Sequence, residues 1–520
     1  MICVLPPKVK DMTAGIPFQH CTKIVINQFV KDATPSRLES REAVILVLPE
    51  PVAAPRWQNL PFGDLIQRRV RQRDADPAAN PWLDTELPNQ RGTRLLVARA
   101  PAADAFERLQ WARELTGPLL QRNMATLAIQ LAGLDRAAAL AVAEALCTAL
   151  LAGTCRLPGE KSKPEEAKRL RRIELFGLPD PLDLQRIRAE CQGNHLARWL
   201  AALPANALTP ARYRSLVERL AREQGWAATF LDEAQLRRRR AGAFLAVSQG
   251  SANRDAGILH LRHLPGAKGA KPQLALVGKG ICFDTGGVNV KSARYMHGMH
   301  EDMAGSAVAL ATFLALSLLD VDFPVDCWLA LAENHIGPNA YKPNDVVTAS
   351  NGTTIEVIHT DAEGRMVLAD TLALASRTRP RLILDFATLT GACVHALSTR
   401  YSGALTNRDA LLPAILAAGR DSGERVWPFP MDADFDEDLE SRAADIKQCS
   451  LENEADQILA ARFLSRFVGE EIDWVHVDLS AANRKGGLGA IATDVTGFGV
   501  RFALQFTLDQ WQSGVQGETV

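Results

Sequence analysis

Apolar positions along the chain fall into two kinds of run. Short stretches, several of them apolar throughout, read as strands: "EAVILVLPEP", "TRLLVARA" and "ATLAIQLAG" early on, then "GAFLAVSQG", "QLALVGKG", "VDCWLALAEN", "TIEVIH", "RLILDFA" and "IDWVHVDLS". Between many of the later ones, apolar residues return at helical spacing, over 303–319, 362–376 and 456–468. Continuous apolar strands alternating with helices predict an α/β fold with a mostly parallel central sheet flanked by helices on both faces. The Pro-, Gly- and charge-rich segment "LPGEKSKPEEAKRLRRIELFG" (157–177) sets a boundary near residue 180. An N-terminal α/β domain over 1–180 is therefore expected to precede a larger α/β domain over 181–520. In such sheets ligands sit outside the carboxyl ends of the strands, so polar residues just beyond them are the ones to examine.

Length agrees with this division, because 520 residues exceed what one core usually holds. Hydrophobic and charged fractions of 47% and 23% are ordinary for a globular chain. A net charge of −1 gives no global field for nucleic acid or an anionic membrane. The apolar segments 137–153 and 306–319 read as buried helices, the first because it contains Glu144 and the second because it is too short to span a bilayer comfortably. The start "MICVLPPKVKDMTAG" lacks the pattern of a secretory signal. Nine cysteines scattered singly argue against a disulfide framework or a thiolate zinc site. A reducing, cytoplasmic setting is expected. The basic run "QLRRRRAG" has no interleaved aromatic residues and reads as a solvated face or an intersubunit contact.

Candidate chemistry concentrates in two stretches. In "LVGKGICFDTGGVNVKSARYMHGMHEDMAG" (276–305), Lys279 ends a strand and Asp284 lies in the following loop. Gly286 and Gly287 permit a tight turn, Lys291 follows, and Asp302 precedes an apolar helix. In "IHTDAEGRMVLAD" (358–370), Asp361, Glu363 and Arg365 alternate before another. Each residue has a structural alternative: Thr360 to Glu363 fits a capping box, and Asp302 could cap a helix. Together, four carboxylates at strand ends and helix starts of one sheet would be costly to bury unless divalent cations neutralised them, as in a two-metal hydrolytic centre. No HExxH zinc motif, P-loop, dinucleotide fingerprint or G-x-S-x-G elbow competes.

The motifs "VGKGICFDTGG", "NVK", "HEDMAG", "HTDAEGRMVLAD" and "DFATLTGA", in this order and spacing, closely resemble the leucyl (cytosol) aminopeptidases, a two-metal exopeptidase family. The likeness covers most of residues 200–500, with "LPANALTP", "AENHIGPNAYKPND" and "DVTGFGVR" also matching, and is loose over the first third. It implies release of N-terminal residues, Leu and other apolar ones, from peptides by a hydroxide bridging two metals. Lys279, Asp284, Asp302 and Glu363 match the ligands of the tighter metal, and Asp284, Asp361 and Glu363 those of the exchangeable one. Lys291 matches the lysine that steadies the oxyanion, and Arg365 the arginine that holds a bicarbonate as general base. Met299, Thr388 and Gly391 match the pocket for the N-terminal side chain. Manganese or zinc, with magnesium or cobalt as further options, and a homohexamer built as a dimer of trimers are also implied. His359 stands where the family usually has Asn, Cys282 and Thr285 replace Thr and Ser, and Met366 replaces Leu; none of these removes a ligand. A non-catalytic scaffold or DNA-associated regulator of the same fold is the alternative, against which the full ligand set and the near-neutral charge both weigh.

Overall fold

The computed structural model describes residues 23–49, 57, 60–75, 80–159, 161–163, 169–265, 271–452 and 454–517, with side chains as far as 511. The opening stretch 1–15 lies outside them.

Six strands form the first sheet: β1 (Val25–Phe29), β2 (Ala43–Leu48), β3 (Leu83–Glu86), β4 (Arg94–Arg99), β5 (Thr126–Leu131) and β6 (Arg172–Phe176). They lie in the order β1-β6-β5-β2-β4-β3 and are parallel except for β3 against β4. Every residue of β2 is buried, because both faces are covered. Helix α1 (Gly63–Asp74) packs Ile66 and Val70 on one face, while α2 (Ala105–Gln121) and α3 (Arg136–Thr154) cover the other. Helix α4 (Leu184–Ala201) gives Ile187 and Cys191 to this core and Leu196, Ala197 and Leu200 to the next.

The second sheet has eight strands. Five come first in the chain: β7 (Ala227–Asp232), β8 (Gly257–His263), β9 (Leu274–Asp284), β10 (Val325–Asn334) and, after the short β11 (Val346–Thr348) and β12 (Thr354–Glu356), β13 (Leu382–Ala387). The others are β14 (Ser402–Thr406), β15 (Val426–Pro428) and, after the short β16 (Ile446–Lys447), β17 (Asp473–Asp478). Their order is β15-β14-β17-β13-β9-β10-β8-β7, and β11, β12 and β16 form a small sheet of their own. The four central strands β17, β13, β9 and β10 are parallel, whereas β14 pairs antiparallel with β17 and β8 antiparallel with both β10 and β7. The helices here include α5 (Gly242–Ser248), α6 (Ala304–Leu318), α7 (Glu363–Ser376), α8 (Gly391–Leu397), α9 (Asp456–Ser465) and α10 (Val500–Gly517). Helices α4, α6 and α10 pack on one face of the sheet, and α5, α7 and α9 on the other. The α/β architecture is as expected, with a parallel centre, an antiparallel pairing on either side of it and a parallel β14–β15 pair at one edge.

Two local expectations are corrected. "GAFLAVSQG" forms helix α5, not a strand, because the buried carboxylate of Asp370 on α7 accepts the Phe244 N–H at 2.8 Å. A partner 126 residues away thus satisfies an amide at the start of that helix, and no local pattern announces it. Lys279 lies inside β9 instead of ending it, and Asp284 is the last residue of the strand instead of a loop residue. The segments Arg136–Thr154 and Met299–Leu318 are apolar and long enough to cross a membrane, yet 61% and 83% of their apolar windows are buried inside the two cores.

Candidate metal centre

The site stands at the carboxyl end of the parallel strands. Strand β9 ends in Asp284, β10 in Asn334 and β17 in Asp478, and β13 runs into Thr388. Between the pairs Ile281–Ala332 and Asp284–Asn334, β9 spends one residue more than β10. Such a bulge turns the side chain beyond it, here Asp284, relative to strict alternation with Lys279. Past β9, Gly286 and Gly287 adopt φ of +86° and +67°, which reverses the chain toward Lys291 as the sequence predicts.

Lys279 and Lys291 interleave with the four carboxylates. Lys279 Nζ lies 2.8 Å from Asp302 Oδ1 and 2.8 Å from Glu363 Oε1, and it donates to the Thr388 carbonyl at 3.0 Å. Lys291 Nζ lies 2.9 Å from Asp284 Oδ2 and 2.6 Å from Asp361 Oδ1. Single oxygens of Asp284, Asp361 and Glu363 all lie within 4.8 Å of one another. Lys279, Asp284, Asp302 and Glu363 are buried, whereas Asp361 retains 27% side-chain exposure and so faces the opening.

Burial and mutual repulsion govern the protonation of this cluster. Burial, reinforced by Asp284 and opposed by Lys279, pushes the Glu363 carboxyl up to about 8. Burial with the Asp284 and Glu363 charges pushes Asp361 up to about 7. Burial, opposed by Lys279, pushes Asp302 up to about 6. For both lysines burial acts downward, but the surrounding carboxylates outweigh it and hold the ammonium forms. Two lysines thus leave the negative charge only partly balanced. Among the described residues, Asp302 Oδ2 and Glu363 Oε2 are buried with no hydrogen-bond partner, an arrangement that costs about 1–3 kcal/mol per group, or more where charged, unless something else engages them. Hard oxygen donors left unsatisfied in this way suit divalent cations.

All nine sequence candidates other than Arg365 line one cavity of about 560 Å³: Lys279, Asp284, Lys291, Met299, Asp302, Asp361, Glu363, Thr388 and Gly391. Thr388 also donates its hydroxyl to Asp302 Oδ1 at 2.8 Å, so it orients that carboxylate. Arg365 lines an adjoining cavity of about 720 Å³, which Lys291, Met299, Asp361 and Gly391 share. Its Nη1 donates to the Gln448 carbonyl at 3.1 Å and its Nη2 to Asp456 Oδ1 at 2.7 Å.

The capping box at Thr360 does not form. Helix α7 begins at Glu363 without a side-chain cap. The Thr360 hydroxyl instead accepts the Asn289 N–H at 2.8 Å and donates to the Gly286 carbonyl at 2.6 Å, tying the loop after β9 to the start of α7. Asp302 does not cap α6 either, being turned toward Lys279 and Thr388. Three residues gain a place that the sequence reading did not give them. Asn334 Nδ2 donates to Asp284 Oδ1 at 2.8 Å, and Tyr341 Oη to the Thr360 carbonyl at 2.8 Å. Asp456 holds Arg365. Asn334 was discoverable as the polar end of a central strand, whereas Tyr341 and Asp456 carried no such signal.

Residues 195–504 match the model of the cytosol aminopeptidase family, catalytic domain. A probable cytosol aminopeptidase of Parasynechococcus marenigrum is 38% identical over 439 residues, 82% of this chain and 88% of that one. A probable cytosol aminopeptidase of Burkholderia ambifaria is 34% identical over 460 residues, 86% and 90% of the two chains. Among solved structures, a mutant tomato leucine aminopeptidase superposes with a TM-score of 0.82 at 27% identity, covering 94% of this chain and 97% of its own. The bottromycin maturation enzyme BotP in complex with Mn gives 0.76 at 29% identity, covering 91% and 100%.

Proposed function

The chain belongs to the cytosol aminopeptidase family, a family of metal-dependent peptidases, and from that premise we propose that it removes N-terminal residues, Leu and other apolar ones foremost, at the lysine–carboxylate cluster. The observation that carries this reading is the convergence of four carboxylates and two lysines on one cavity, with buried carboxylate oxygens lacking partners.

Lys279, Asp284, Asp302 and Glu363 would hold one divalent ion and Asp284, Asp361 and Glu363 a second, so that Asp284 and Glu363 serve both. Manganese or zinc is favoured, with magnesium or cobalt as substitutes; the manganese complex of BotP supports the first. When bound, the two ions supply a water acidic enough to attack as hydroxide and polarise the scissile carbonyl. Lys279 must lose a proton to act as a ligand, against carboxylates that hold it, and the incoming positive charge replaces the one it gives up. Lys291 keeps its ammonium and stabilises the negative charge that develops on the carbonyl oxygen. The substrate's positive α-amino group finds its complement in the carboxylates, and Met299, Thr388 and Gly391 border the apolar side of the cavity, together with Leu389 and Val394. Residues 1–180 and 181–520 are taken as the two domains, the cytoplasm as the working compartment and a dimer-of-trimers hexamer as the assembly.

The test is hydrolysis of leucine p-nitroanilide after chelation, with Mn²⁺, Zn²⁺, Mg²⁺ or Co²⁺ restored singly. Metal-dependent release is expected; absence of release from folded protein with every metal would sink the reading.

A further inference from the structure

Resemblance assigns Arg365 an exogenous bicarbonate, but in this chain the Asp456 carboxylate already stands on its guanidinium. The Arg365 guanidinium is 2% exposed, and both of its terminal nitrogens are committed, Nη1 to the Gln448 carbonyl and Nη2 to Asp456 Oδ1. A planar anion binds a guanidinium best through two parallel N–H donors; here each terminal nitrogen already holds a protein oxygen and Nε is buried without a partner among the described residues, so an added anion would compete with the Asp456 carboxylate for the fork. Gln448 is itself fixed, its side chain accepting the Ile358 and His359 N–H groups at 3.1 Å and donating to the Ala362 carbonyl at 2.9 Å. The fork therefore cannot swing aside without breaking a chain of bonds.

Asp456 has a bland explanation as an acidic residue in the first turn of α9. Two observations go against it as the whole account. Ala455, the residue before it, is held at φ +50°, a left-handed conformation unfavourable for a side chain with a Cβ. The carboxylate it delivers meets a buried guanidinium 91 residues away and lines the same cavity as Lys291 and Asp361. Strain that places one carboxylate on one buried arginine, at a cavity shared with Lys291 and Asp361, is the pattern expected of a functional position.

We propose that Asp456 is a built-in replacement for the bicarbonate: it occupies the anion position on Arg365 and accepts the proton of the attacking water. The proposal rests on the aminopeptidase reading above. In the step, a water O–H bond breaks and its proton passes to an Asp456 carboxylate oxygen as the water oxygen bonds to the scissile carbonyl carbon. The same proton then moves to the leaving amine nitrogen as the C–N bond breaks. Asp456 returns to its carboxylate form, and no further reactant is consumed.

The experiment compares the native metal-loaded chain with Asp456→Ala and Asp456→Asn in carbon-dioxide-stripped buffer, then with bicarbonate added. Hydrolysis by the native chain is expected to be indifferent to bicarbonate. Asp456→Ala is expected to lose about 10²-fold or more, the range for a general base, and to regain part of it with bicarbonate or formate. Asp456→Asn, which keeps the shape and fills the space, is expected to lose activity without rescue. A readout independent of turnover is ¹³C-bicarbonate NMR: no binding to the native chain and binding to Asp456→Ala. Bicarbonate binding to the native chain, or its stimulation several-fold, overturns the proposal, as does an alanine variant fully active in stripped buffer. Failure of the aminopeptidase reading looks different, since the native chain would then hydrolyse nothing with any metal while the NMR comparison still decides who occupies Arg365. If Asp456→Ala does not fold, the native chain's response to bicarbonate in both measurements remains decisive.

Discussion

Gly364 sits between Glu363 and Arg365, and its value lies in what it lacks. A Cβ there would lie 2.7 Å from Lys279 Cε and 2.8 Å from Nζ, inside the van der Waals envelope of a side chain held by Asp302, Glu363 and the Thr388 carbonyl. The amine can reach the carboxylates only because helix α7 is bare at that point. Gly364→Ala is expected to cost about 1–3 kcal/mol by overpacking and to push the lysine off its partners. Metal analysis after gel filtration should then find the tighter ion lost. Retention of two equivalents with full turnover would show that Lys279 is not a ligand. The acidic and basic residues around this glycine were legible from their spacing, because charge that is expensive to bury is conspicuous in an apolar sequence. The partner of Arg365 was not: Asp456 lies in "NEADQ", an ordinary-looking helix start, and its meaning depends on a contact made across 91 positions.

At the scale of elements, the site is a junction of four strand ends and two helix starts, and Thr360 fastens the loop after β9 to the entry of α7. Thr360→Val keeps the volume and removes every bond of the hydroxyl. Residues that orient metal ligands typically change affinity by about 10–100-fold, and a loss of that size is expected in a metal titration followed by activity. An unchanged titration would mean that the loop is held by the metals themselves. Strands were the most legible elements, since β9, β10 and β13 are buried on both faces and are mostly apolar. The same rule misled at α5, where a short apolar run was helical because the Asp370 carboxylate receives one of its first amides. Periodicity over seven residues cannot separate the two states when the deciding partner is elsewhere.

For the whole molecule, the cluster links metal, pH and stability. Asp302, Asp361 and Glu363 have carboxyl groups raised to about 6, about 7 and about 8 in the folded chain. A raised acid favours folding only while it is protonated, so its contribution is full below the ordinary range near ~4 and is lost as pH rises through the folded values. The chelated protein should therefore lose thermal stability from about pH 5 to about pH 9. Cations compete with protons for the same oxygens, so the gap in melting temperature between metal-loaded and chelated protein should widen over that interval, and activity should rise with it. A gap that narrows toward alkaline pH would contradict the assignment. Helix α4 carries a different consequence, one about ancestry. It lends Ile187 and Cys191 to the first core and its second half to the other, and the family match begins at residue 195, inside it. The first sheet is therefore not a detachable module that recombination could exchange at the edge of the match. A viable crossover must fall ahead of Leu184, or bring with it a helix whose opening turns were shaped against the incoming sheet.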